Sequence, residues 1–178
     1  MTMDIARVHK TIEEAQLFLG KMNEQERQIA GDKQPFDYYL SAFLNAARTV
    51  DYRLRHEQGA TYPRWRDAWN TRLTMEQRGL MKFIADDRRE EVHDSGSSRT
   101  VGQEGVKFGI GEHRLPDGST LIVGGIPKVL SGIDTAVVAY KPTYSFTING
   151  TERTVTEACT EHLGLLRQMV TEFEAAHP

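Results

Sequence analysis

The chain has 178 residues and a formal net charge of −3, long enough for one domain with a full hydrophobic core and without the overall positive charge that drives nucleic-acid binding. Its single cysteine, Cys159, excludes an intrachain disulfide. No apolar run approaches the roughly 20 residues that span a bilayer, and the opening MTMDIARVHK carries no apolar signal core. A cytoplasmic location with no membrane partner is the expectation.

The apolar positions Ile5, Val8, Ile12, Ala15, Leu19, Met22 and Ile29 recur at spacings of three and four, which predicts one long amphipathic helix. A break follows at Gly31-Asp32-Lys33-Gln34-Pro35, where Pro35 suits the first turn of a new helix. Phe36, Leu40, Phe43, Ala47, Val50 and Leu54 then give a second seam that ends near Gly59. Two long helices joined by a short link are expected to pack antiparallel.

Tyr62 to Trp69 reads as a short helix with Trp65 and Trp69 one turn apart, placed to cap the bundle. A third long helix starts near Thr74, whose spacing from Gln77 is that of a capping box. Leu80, Phe83, Ile84 and Asp87 form its inward stripe, and it ends before Ser95-Gly96-Ser97-Ser98.

Beyond that cluster the period changes from helical to alternating. Val106 to Ile110 and Thr120 to Val123 flank Pro116-Asp117-Gly118, a strand-turn-strand pattern, and Thr135 to Tyr140 is a further β-branched run. Tyr144 to Ile148 and Thr151 to Val155 surround Asn149-Gly150, a strong hairpin signal. Roughly residues 100–155 should form a small β element. The last segment, with Ala158, Cys159, Leu163, Leu166, Val170 and Phe173 on one face, is helical again and supplies a fourth long helix.

The net charge averages over a division along the chain. Residues 48–89 hold ten Lys/Arg against six Asp/Glu, a balance of +4, whereas the segments before and after balance at −2 and −5. A chain acidic overall can still focus positive potential on one surface. The bland reading is that these arginines cover helix faces with their aliphatic stems.

The segment Arg88-Arg89-Glu90-Glu91-Val92-His93 closes this basic stretch with an Arg-x4-His spacing. A helical hairpin, a short Trp-bearing helix and a helix ending in Arg-x4-His resemble, in that order, the HEPN superfamily of small helical bundles. The resemblance is sharpest from Phe36 to Val50 and extends through Trp65 and Trp69 to Phe83-Ile84-Ala85-Asp86-Asp87-Arg88. It covers about residues 5–95 and the final helix, and leaves the β element unexplained.

The resemblance implies a mainly α, antiparallel HEPN-like bundle in one domain over 1–178, with a β-rich insertion at 100–155 before the last helix. It also implies a metal-independent endoribonuclease of the toxin-antitoxin or phage-defence kind, acting as a homodimer on RNA, with no cofactor and with an antitoxin or another protein as partner. In such a protein Arg88 would hold the scissile phosphate, since its planar fork fits that group. His93 would move the proton of the ribose 2′-hydroxyl or of the leaving oxygen, leaving a 2′,3′-cyclic phosphate. Arg48 and Arg89 would contact the RNA. Other family members are binding or scaffold modules, so the alternative is a non-catalytic module that binds a protein or nucleotide partner.

Two features of the motif bear on that choice. Arg89 stands where family members place a small polar residue, and on a straight helix Arg88 and His93 lie about 140° apart at about 100° per residue. The chain must bend before His93 for the two to share a site, which Asp94-Ser95-Gly96 permits. A structural reading competes: Glu90 and Glu91 pair with their basic neighbours on a solvated helix end, and Arg48 reaches Asp87 across the bundle. Other motifs fall short: Gly109-Ile110-Gly111 lacks a third glycine, and the six histidines have no ligand spacing.

Overall fold

The computed structural model describes residues 5–29, 32–93, 98–108, 111–116, 118–123 and 137–177, with the side chains of 88–93, 107, 108, 111, 121–123 and 137–139 outside that description. The protein is mainly helical with a small antiparallel sheet. Its helices are α1 (Ala6–Glu26), α2 (Gln34–Glu57), α3 (Thr61–Arg72), α4 (Met75–His93) and α5 (Val155–Ala176). Between α4 and α5 run β1 (Thr100–Phe108), β2 (Gly111–Arg114), β3 (Thr120–Val123), β4 (Val137–Ile148) and β5 (Thr151–Thr154).

The expected seams are the buried ones. Val8, Ile12, Ala15, Leu19 and Met22 of α1 meet Phe36, Leu40, Phe43, Ala47, Val50 and Leu54 of α2, and all are buried. Pro35 sits in the first turn of α2. α5 completes the core with Ala158, Cys159, Leu163, Val170 and Phe173. Trp65 and Trp69 stack with ring centroids 6.3 Å apart, and Tyr62 and Trp65 both set their rings edge-on to Phe173. The short helix thus closes the bundle against the far end of α5. Among the described residues no helix is long and apolar enough to cross a membrane.

α4 is fixed at two points. At its start the Gln77 amide donates to Thr74 Oγ1 at 3.2 Å while the Thr74 amide donates to Gln77 Oε1 at 3.0 Å, the reciprocal pair of a capping box. Three turns on, buried Asp87 Oδ1 accepts from the Ser98 amide at 2.7 Å and from its hydroxyl at 2.6 Å. Leu80 and Ile84 are buried beside it, and Phe83 is half-buried.

The three-stranded sheet has the order β1-β4-β5, all antiparallel. Tyr144, Phe146 and Ile148 alternate into the core. Tyr144 stacks on Phe36 at 3.6 Å, and Phe146 meets Phe83 at 5.0 Å. Asn149 and Gly150 form the hairpin tip with φ of 52° and 79°, the left-handed pair that a tight two-residue turn requires. Gly79 of α4 lacks a side chain where the Asn149 side chain meets that helix.

Four details depart from the sequence expectation. α1 ends at Glu26, so Ile29, expected on its seam, lies beyond the helix and is only half-buried. The partner of Thr120–Val123 is Gly111–Arg114, with Arg114 opposite Thr120, and not the run from Val106. A turn tied by Leu115 N to Ser119 O at 2.8 Å fixes the register of the residues directly flanking it, which leaves Val106, Lys107 and Phe108 to pair with Ala139, Val138 and Val137 on β4. Residues 137–140 and 144–148 are not two strands, because β4 passes through Pro142 unbroken; Thr135 and Ala136 lie outside the described residues. Pro142 lies where β4 pairs with β1 alone, β5 joining only from Ser145 onward, so its missing N–H costs no ladder bond. Val155 begins α5 and does not end β5, since Thr154 Oγ1 accepts from the Glu157 amide as an N-cap.

Candidate basic cavity

The basic segment 48–89 folds into three helices whose cationic side chains meet. α2, α3, α4 and α5 enclose a cavity of about 440 Å³, lined by Arg48 and Arg55 from α2, Arg66 from α3, and Arg78 and Lys82 from α4. Among the described residues five cations face one carboxylate, Asp51. The walls between them are aliphatic or thioether: Leu44 and Ala47 of α2, Met81 and Ile84 of α4, and Leu166 of α5.

The floor is a hydrogen-bonded network centred on Asp51. Its carboxylate accepts from the Tyr62 hydroxyl at 2.6 Å and from Arg55 Nε at 2.6 Å, and Arg66 Nε, buried without a hydrogen bond, pairs with it by charge at 3.5 Å. Burial first, and then the Asp51 carboxylate, push the Tyr62 phenol pKa up, so it stays protonated and donates. Arg66 is buried, with its guanidinium carbon 4.9 Å from the Trp69 ring centroid and Nη1 donating to Asn70 Oδ1. These contacts lock Arg66 and leave the Asn70 amide nitrogen as a donor at the cavity.

At the mouth the cations are freer. Arg48 and Arg78 are exposed and have no carboxylate partner among the described residues. Lys82 Nζ is 2.7 Å from Asp86, an exposed pair that is worth only a few tenths of a kcal/mol and yields readily to a ligand.

His162 of α5 also lines the cavity, 4 % exposed. Burial, reinforced by the Arg66 charge, lowers its pKa to about 4, so the imidazole is neutral at pH 7. Its Nδ1 is buried without a hydrogen-bond partner. A buried polar atom left unsatisfied costs free energy and calls for a reason.

Of the residues expected to form the site, Arg48 is at the cavity mouth. Arg88, Arg89 and His93 lie in the last turns of α4, and their side chains lie outside the described residues. The backbone there carries one clear result: α4 runs helical through His93, so the bend needed before His93 is not present. Positions 88 and 93 therefore stay about 140° apart around the axis. Positions 89 and 93 instead continue the stripe of Arg78, Lys82 and Ala85 at spacings of three and four. Arg48 does not close on Asp87 as the structural reading expected, since Asp87 is bound by Ser98 and Arg48 is exposed.

Sequence reasoning missed Asp51, Arg66, Asn70 and His162. One signal was available: His162 stands three residues from Cys159 and four from Leu166 on the apolar face of α5, where a polar residue is out of place. Among the described residues no His, Cys, Asp and Glu cluster could hold a metal ion. Comparison of the chain with protein-family models, curated proteins and solved structures gives no match.

Proposed function

We propose that this chain is an HEPN-like helical module that engages RNA through the basic surface around the α2–α3–α4 cavity, with Arg48 and Arg89 as phosphate contacts. The observation that carries the reading is convergence: five cations from three helices gather around one carboxylate in a chain whose net charge is −3. A local field of this kind attracts phosphate whatever the global charge. The HEPN likeness rests on the order of elements, in which a helical hairpin, a Trp-bearing helix and a long helix ending in Arg-x4-His precede the sheet. A toxin-antitoxin or phage-defence setting, with a homodimer and a neutralising protein partner, belongs to the same reading.

Metal-independent RNA cleavage by Arg88 and His93 is the second reading. It is favoured by the position of both residues in the turns of α4 that follow Arg78 and Lys82. Because the helix is unbroken, Arg88 of one chain would act with His93 of a second copy across a homodimer, or Arg89 would replace Arg88 within one chain. Either way the chemistry needs a ribose 2′-hydroxyl, so DNA is not a substrate.

Filter binding of single-stranded RNA tests the first reading. Retention should fall steeply as salt rises, and the Arg48→Ala and Arg89→Ala variants should weaken it several-fold on unrelated sequences. RNA retention that ignores salt and both substitutions would overturn it. Incubation with RNA in excess chelator tests the second: cleavage that disappears in Arg88→Ala and His93→Ala with folding intact supports it, and cleavage that survives both sinks it.

A further inference from the structure

The same cavity holds more than a phosphate contact needs. Phosphate recognition requires cations at a surface, whereas here a concave space of about 440 Å³ lies behind them, in the range that small organic ligands occupy. Leu44, Met81, Ile84 and Leu166 line it with aliphatic and thioether surface, which no phosphate backbone would cover. Among the described residues the His162 imidazole is the one ring on the wall.

We infer that this cavity is a binding pocket for a small amphipathic organic anion, with an acidic head, an apolar body and one hydrogen-bonding group at the far end of that body. The acidic head meets Arg48 and Arg78, the mouth cations without a carboxylate partner among the described residues. The body fills the space between α2, α4 and α5. The hydrogen-bonding group meets the cavity-lining Asn70 amide nitrogen, left over after its oxygen accepts from Arg66, beside the buried imidazole of His162.

Each feature sets one requirement on the ligand. A neutral molecule forfeits the mouth cations, and a bare inorganic anion forfeits the walls. A body lacking the polar terminus buries the Asn70 amide nitrogen without a partner, a loss that persists in the complex. The pocket is also a point of control: a ligand that neutralises Arg48 and Arg78 removes cations from the surface offered to RNA.

Isothermal titration of the full chain with four probes tests the inference. They are 3-(4-hydroxyphenyl)propionate, 3-phenylpropionate, the neutral alcohol 4-hydroxyphenethyl alcohol and inorganic phosphate. The hydroxylated acid should bind at least tenfold more tightly than the neutral alcohol or phosphate, and several-fold more tightly than 3-phenylpropionate. Arg48→Glu and Arg78→Glu, both at exposed positions, should each weaken it about tenfold without moving the melting temperature.

Phosphate binding as tightly as the hydroxylated acid would overturn the pocket in favour of a bare anion surface. Absence of binding by all four probes up to millimolar concentration overturns it outright, as does binding that survives both substitutions. RNA retention measured on the same preparation keeps the two proposals apart: retained RNA with no probe binding sinks the pocket alone.

Discussion

Asp87 and His162 are both almost wholly buried, 1 % and 4 % exposed, yet they are in opposite states. Asp87 takes two short hydrogen bonds from Ser98, which anchors α4 near its end and ties it to the residues that lead into the sheet. His162, under the middle of the same helix, leaves Nδ1 without a partner. A satisfied buried polar group anchors its element in the fold, whereas an unsatisfied one adds nothing that holds its element in place. The segment Arg78 to Ala85, which forms the cavity wall, is held between the Thr74–Gln77 capping box and the Asp87 anchor.

The contrast is sharpest in acid. The folded His162 pKa is about 4 against an ordinary 6.5, so the unfolded chain takes up the proton first as pH falls. Stability contributed by the neutral imidazole is complete above about pH 6.5 and is lost as pH drops toward 4, by on the order of 3 kcal/mol. Urea unfolding of wild type and His162→Leu at pH 7, 5.5 and 4 should show this loss in the wild type alone. Parallel curves would mean that His162 is protonated when folded, and the unpaired Nδ1 would lose its significance.

At pH 7 the order reverses. Asp87→Ala should cost about 2 kcal/mol, because the Ser98 amide and hydroxyl both lose their acceptor. His162→Leu should stay within about 1 kcal/mol of wild type, since it removes a group that is already unsatisfied. Denaturation of the two variants side by side measures this, and a His162→Leu loss equal to that of Asp87→Ala would erase the distinction. Smaller again is the capping box: Thr74→Ala should lower stability by about 1 kcal/mol, read as a shift in the urea midpoint with unchanged slope. Smallest is Arg48→Ala, expected within about 0.5 kcal/mol for an exposed cation while it lowers RNA retention, so that a large stability loss would reassign Arg48 to the fold.

How far the sequence could be read depended on whether a feature is local. The seams of α1, α2 and α5, the Thr74 cap and the Asn149-Gly150 turn follow from spacings of two to four residues, and the structure keeps each of them. The pairing of β1 with β4 was not legible, because Thr100 meets Ser145 across 45 positions of chain and no short pattern encodes that. For the site, the basic segment was visible as composition, and Arg48 was already a candidate. Asp51, Arg66 and His162 were not, since what unites them is a cavity between four helices.

The sequence by itself determined a mainly helical chain with a small β element before its last helix, and it located the positive charge between residues 48 and 89. Apolar periodicity and turn chemistry act over a few residues, so one sequence suffices to read them. Only the tertiary structure decided that this charge gathers at a cavity with an aliphatic wall and a buried histidine, and that α4 stays helical through His93. Burial, enclosure and satisfaction of polar groups are properties of packed surfaces, and residues from α2, α3, α4 and α5 acquire them only when the bundle closes.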